Sequence, residues 1–123
     1  MVIAIDFDGT CVTHEFPNVG KDIGAVPVIK DLVAAGHKII LYTMRDKHYQ
    51  KDAEQWFKDN DIPLFGSNKN PDATWTISPK IFAHLYIDDM ALGMPLKIDY
   101  TISNRPFVDW VKVRQLLNQM QLL

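Results

Sequence analysis

Three short apolar runs, "VIAI" at residues 2–5, "KIILY" at 38–42 and "HLYI" at 84–87, each end abruptly at a polar residue: Asp6, Thr43 and the pair Asp88 and Asp89. Continuous apolar runs this short, rich in β-branched residues, suit strands covered on both faces, because a strand with one wet face alternates apolar and polar positions. A sheet buried on both sides is in turn parallel, with helices packed over it. The intervening segments supply those helices. From Gly24 to Ala35, Val26, Ile29, Leu32 and Val33 recur at helical spacing, with Pro27 tolerable in the first turn and Gly36 as a stop. Beyond Asp46, a residue suited to cap a helix, Tyr49, Ala53, Trp56 and Phe57 form a second stripe.

"IPLFG" (62–66) predicts a third strand, and "SNKNPDATWTISP" after it is rich in turn residues and reads as an irregular loop. "HLYIDD" then gives a fourth strand and "PLKIDY" (95–100) a fifth. A last helix in "RPFVDWVKVRQLLNQM" is expected to turn Phe107, Trp110, Val111, Leu117 and Met120 inward. Alternating strands and helices predict an α/β fold: one Rossmann-like three-layer domain over residues 1–123, mainly parallel, with strand order 3-2-1-4-5. A chain of 123 residues, 47% hydrophobic, suffices for one core but not for two.

The net charge of -2 comes without any polybasic tract, so neither a membrane surface nor nucleic acid is favoured as a partner, nucleic acid entering only as a substrate. No run approaches the ~20 apolar residues of a spanning helix. Cys11 is the single cysteine, which excludes an intrachain disulfide, and the short start before Asp6 lacks the marks of a signal peptide; a cytoplasmic protein is expected.

In the predicted order the first and fourth strands are neighbours, at the switch point where open α/β sheets bind ligands beyond their carboxyl ends. Asp6 and Asp88 would then stand about 4.8 Å apart. Two such charges repel by roughly 3 kcal/mol at an effective dielectric of 20, and Asp8 and Asp89 add to that. A divalent cation with a preference for hard oxygen ligands, magnesium above all, resolves the repulsion. The expected metal residues are therefore Asp6, Asp8, Asp88 and Asp89. A single Asp-Gly would suggest only a turn, but two acidic pairs, each after a buried strand, point to metal and phosphate chemistry.

"IDFDGTCV", "ILYTMR", "SPK" and "LYIDD" resemble the four successive motifs of the haloacid dehalogenase-like (HAD) phosphohydrolases, across nearly the whole chain. The resemblance implies a magnesium-dependent phosphatase in which Asp6 is the nucleophile that takes the phosphoryl group and Asp8 the general acid and base. It also implies that Thr43 and Lys80 serve the phosphoryl group and the nucleophile, and that the Asp8 main-chain carbonyl is a further metal ligand. By the same pattern Asp88 is expected to be the direct ligand of its pair, with Asp89 reaching the metal through water or holding Lys80. The expected substrate contacts are Gly9, Thr10, Thr43, Arg45, Asn68 and Lys80, with Lys69 competing for the role of phosphate-directed cation. His14 and His48, on loops at the carboxyl edge, could touch the leaving group; the other two histidines, His37 and His84, read as surface or packing residues.

Members of that family commonly carry an inserted cap domain, and neither the seventeen residues between Asp8 and Val26 nor the stretch from Thr43 to Lys80 has room for one. A capless site implies either a large substrate, such as a phosphorylated macromolecular end, or a neighbouring subunit in a homo-oligomer as the lid. The rival readings are a signalling receiver module and a non-catalytic phosphate-binding domain. A receiver takes phosphate at the end of its third strand, where this chain has "LFGSN" and no Asp.

Overall fold

A computed structural model describes residues 1–123. β1 (Val2–Ile5), β2 (Lys38–Leu41), β3 (Gly66–Ser67) and β4 (Leu85–Ile87) form one parallel sheet in the order β3-β2-β1-β4. β1 is its centre, with Ile5 in register with Leu41 on one side and Ile87 on the other. Helices α1 (Ala25–Ala34), α2 (Lys47–Asp59) and α3 (Trp110–Gln119) complete the α/β architecture. Ile3, Ile5, Ile39, Leu41 and Ile87 meet Ile29 and Leu32 of α1, Phe57 of α2 and Leu117 of α3 in one apolar core. None of the helices is long and apolar enough to cross a membrane.

The expected fifth strand does not join this sheet. β5 (Leu96–Lys97) instead pairs antiparallel with β6 (Phe107–Val108) in a separate two-stranded ribbon. Chain geometry gives the reason: a parallel neighbour of β4 needs a crossover of about a dozen residues or more, and only residues 88–95 lie between the two strands. The third strand is likewise shorter than "IPLFG", because Pro63 has no N–H for a ladder and Ile62 is buried as core ahead of the strand.

The last helix starts later than its sequence suggests. Asp109 caps it by accepting from the Val111 and Lys112 amides, which sets a phase that buries Trp110, Val113 and Leu117. Val111 (71% exposed) and Met120 (52% exposed) therefore face solvent, contrary to expectation, and Phe107 is buried as part of β6. In α1 the buried face is Ala25, Val28, Ile29 and Leu32, with Val26 and Val33 at its margins. α2 begins after Asp46 as expected, although the Asp46 side chain makes no cap hydrogen bond.

Candidate active site

Asp6 directly follows β1 and Asp88 directly follows β4, so the Ile5–Ile87 register carries both acids to the same edge of the sheet. The Asp6 amide donates to the Ile87 carbonyl at 2.9 Å, extending the ladder by one step and fixing the start of the site loop. Asp6, Asp88 and Asp89 offer carboxylate oxygens that all lie within 4.8 Å of one another.

No lysine or arginine neutralises this trio: none of the four salt bridges in the molecule reaches Asp6 or Asp88. Burial, reinforced by the charges of Asp88 and Asp89 and only partly offset by the Thr10 hydroxyl, raises the Asp6 carboxyl from 3.8 to about 8. Asp88 is raised for the same leading reason, burial, with the Asp89 charge adding to it. Three converging carboxylates, two of them disfavoured as anions by burial and by their acidic neighbours, form a hard oxygen donor set that fits magnesium. The Asp8 carbonyl accepts no hydrogen bond from the chain and is free to join them.

Thr10 is fully buried and knits the loop together. Its hydroxyl donates to Asp6 Oδ2 at 2.7 Å and accepts from the Asp89 amide at 3.0 Å. Gly9, at φ 79°, lets the loop turn over His14: a Cβ there would fall 2.0 Å from His14 Nε2 and 2.7 Å from Asp89 Oδ2. His14 Nε2 in turn meets Asp89 Oδ2 at 3.0 Å. Gly9 and Thr10, expected to touch substrate, thus shape the loop, and Asp89 is held by His14 and not by Lys80.

Asp8 stands apart from the acidic trio. Arg45 grips both of its oxygens, Nε to Oδ2 at 2.7 Å and Nη2 to Oδ1 at 2.8 Å. The side chain of Asp8 is therefore no metal ligand in this arrangement, as only its carbonyl is free for that role. Arg45 is 3% exposed, and it also donates to the carbonyls of Pro17, Asn18 and Tyr49. It thereby ties Asp8 to the 16–18 turn.

Thr43 lies two residues beyond β2, held by Asn68: the Thr43 amide donates to Asn68 Oδ1 at 2.8 Å, and Asn68 Nδ2 donates to the Thr43 carbonyl at 2.9 Å. The Thr43 hydroxyl accepts from the Arg45 amide at 3.0 Å, which leaves its proton free to be given away. Asn68 is thus a brace for Thr43. Lys80 is not brought to the acids. It is exposed on the loop after β3, with Nζ 5.9 Å from the Tyr86 ring centroid. Lys69 is exposed and His48 stacks on Tyr49, with ring centroids 3.9 Å apart.

Two supports of the loop escape sequence reasoning. Trp110, at the start of α3, donates from Nε1 to the Thr10 carbonyl at 2.6 Å, and the Val108 amide donates to the Gly9 carbonyl at 3.0 Å. Both lie about a hundred residues from the loop they hold, and a stripe of apolar residues on a helix signals only core. Cys11, fully buried, points its thiol at the Asp6 carbonyl, 3.3 Å away, and burial pushes that thiol well above its ordinary range.

No family model matches the chain, and no curated protein does either. Among solved structures, a conserved protein from Bacteroides thetaiotaomicron is similar at 30% identity, with a TM-score of 0.79, over 98% of this chain and 91% of that one. Its description names no activity, so the likeness to the HAD phosphohydrolases rests on the motif residues themselves.

Proposed function

Since the chain belongs to the same family as this conserved Bacteroides thetaiotaomicron protein, we propose its function from the site: a magnesium-dependent phosphatase that hydrolyses a phosphate monoester through an aspartyl-phosphate on Asp6. The observation that carries the reading is the convergence of Asp6, Asp88 and Asp89 within 4.8 Å at the carboxyl ends of β1 and β4. These three side chains, with the Asp8 carbonyl, would hold the ion. When bound, magnesium orients the phosphoryl group and offsets its charge.

Asp6 attacks phosphorus, the bond from phosphorus to the leaving oxygen breaks, and Asp8 gives that oxygen its proton. Asp8 then takes a proton from water as the water attacks phosphorus, which breaks the Asp6–phosphorus linkage and releases orthophosphate. Arg45 takes one acceptor position on each Asp8 oxygen, so either transfer uses the position that remains on one of them. Thr43, braced by Asn68, donates its hydroxyl proton to a phosphoryl oxygen. Lys80 can serve the phosphate only after the loop it stands on folds inward. The enzyme would work in the cytoplasm, on a small phosphate ester or on the phosphorylated end of a macromolecule.

The grip of Arg45 on Asp8 also favours a second reading, a phospho-acceptor module that takes phosphate on Asp6 and hydrolyses it slowly. A panel of phosphate esters assayed with and without magnesium separates the two. Magnesium-dependent turnover that Asp6→Asn abolishes supports the phosphatase; stoichiometric labelling of Asp6 without turnover supports the module, and neither result in any ester sinks both.

A further inference from the structure

Beside Asp8 lies a surface depression of about 200 Å³ lined by four residues: Asp8 and Arg45 as its polar part, Phe16 and Met44 as its apolar part. From this we infer that the substrate is an aryl phosphate, its aromatic ring bonded through oxygen to phosphorus and seated between Phe16 and Met44. The inference rests on the phosphatase reading, in which Asp8 faces the leaving oxygen, so the group attached to that oxygen lies on the Asp8 side of the site.

Phe16 is 58% exposed and Met44 98% exposed. One exposed apolar side chain needs no explanation, but two flanking the same proton donor form an apolar surface on the side where the leaving group would lie. Phe16 is also held in place. Its ring centroid lies 5.1 Å from the Arg45 guanidinium carbon and 5.2 Å from the Tyr49 ring centroid. Arg45 further donates to the carbonyls of Pro17 and Asn18, which fixes the turn that presents Phe16. The same guanidinium therefore positions both the acid and the ring.

The apolar part offers no hydrogen-bond partner, so a polyhydroxylated leaving group would lose water there without replacement. A flat ring gains from stacking on Phe16 and from contact with the polarisable Met44 sulfur. The depression is smaller than the roughly 300–1,000 Å³ of pockets for drug-sized ligands, a size suited to one ring. In the reaction the aryl oxygen leaves phosphorus, takes the Asp8 proton and departs as a phenol.

The test compares kcat/KM with magnesium for phenyl phosphate, a phosphotyrosyl peptide, glycerol phosphate and acetyl phosphate. Acetyl phosphate carries an activated leaving group with no ring to seat. The wild-type chain should prefer phenyl phosphate to glycerol phosphate, and Phe16→Ala should lower the phenyl-to-acetyl ratio by about tenfold, with Phe16→Trp keeping it. Should Phe16→Ala fail to fold, Met44→Ala reads the same ratio from a side chain that is 98% exposed. Turnover of acetyl phosphate with a ratio unchanged in both variants overturns the ring shelf and leaves the phosphatase standing. No turnover of any ester overturns the phosphatase and the shelf together. Turnover of phenyl phosphate alone supports the shelf with a free aryl ester as source; equal turnover of the peptide supports it with a phosphotyrosyl side chain.

Discussion

In the proposed reaction Asp6 carries two opposed demands, since a nucleophile has to be ionised while burial and the neighbouring Asp88 and Asp89 keep its proton on up to about pH 8. In the unfolded chain the same carboxyl releases its proton near 3.8. Between those values the folded state binds more protons than the unfolded one, so the contribution of Asp6 to stability is complete below about pH 4 and drains away as the pH rises toward 8. Thermal melts in a chelator should accordingly show Tm falling across that window, and added magnesium should reduce the fall. Asp6→Asn removes the titration and should flatten the profile, at unchanged or higher Tm at neutral pH, while turnover drops by at least roughly a thousandfold. A Tm that rises from pH 4 to 8 in chelator would contradict the described trio. Gly9 gives a second test by the same kind of reasoning. An added methyl at φ 79° meets His14 Nε2 at 2.0 Å, so Gly9→Ala should cost roughly 2–4 kcal/mol in denaturant unfolding. His14→Ala in the same chain removes the closest overlap, leaving the one with Asp89 Oδ2 at 2.7 Å, and should restore part of that loss.

The site loop is short, and its rigidity comes from elements remote in sequence. The Trp110 indole N–H is the sole hydrogen-bond partner of the Thr10 carbonyl, so Trp110→Phe strands a buried acceptor and should cost about 1–3 kcal/mol. Because Thr10 also sets Asp6 and Asp89, the same substitution should weaken magnesium binding, measured by calorimetric titration; a stability loss with unchanged magnesium affinity would mean that α3 does not govern the site. This dependence also shows which features sequence can yield. The strands β1, β2 and β4 and the stripe of α2 could be read directly, because continuous apolar runs and a 3.6-residue period are local properties of the chain. The proximity of Asp6 to Asp88 followed from topology rules, which are nearly as strict. The fates of Asp8, Arg45 and Lys80 could not be read in this way. Whether a charged side chain faces a metal, a buried guanidinium or solvent depends on contacts between residues 37 apart or more, as with Asp8 and Arg45, and no local pattern encodes them. The misplacement of β5 had another origin: "PLKIDY" has strand composition, but eight residues of linker cannot carry a parallel crossover.

Seen whole, the sheet has two short edges, β3 with two residues and β4 with three, and its acids stand at the carboxyl end. No helix or strand is inserted between Asp8 and α1 beyond isolated bridges at Asp8, Val12 and Asp22. Between α2 and β4 the chain holds only β3 and irregular backbone. Neither segment carries an inserted helix or sheet over Asp6, so water has to be excluded by something laid over the site. Two arrangements satisfy that need, a substrate large enough to cover the site or a second copy of the chain laid over it, and they differ in concentration dependence. A lid supplied by another subunit makes activity per mole rise with protein concentration until the dimer saturates. A site covered by its own substrate gives activity per mole that is constant from nanomolar to micromolar protein. It also favours the phosphorylated end of a polymer over the same phosphoryl group on a small fragment, since only the polymer displaces water from the rim. If Phe16 and Met44 seat the leaving group as proposed, constant activity per mole is the expected result, checked by initial rates across that range alongside sedimentation at matching concentrations. A rise in activity that tracks dimer formation would transfer the lid to the partner subunit and make the monomer an incomplete enzyme.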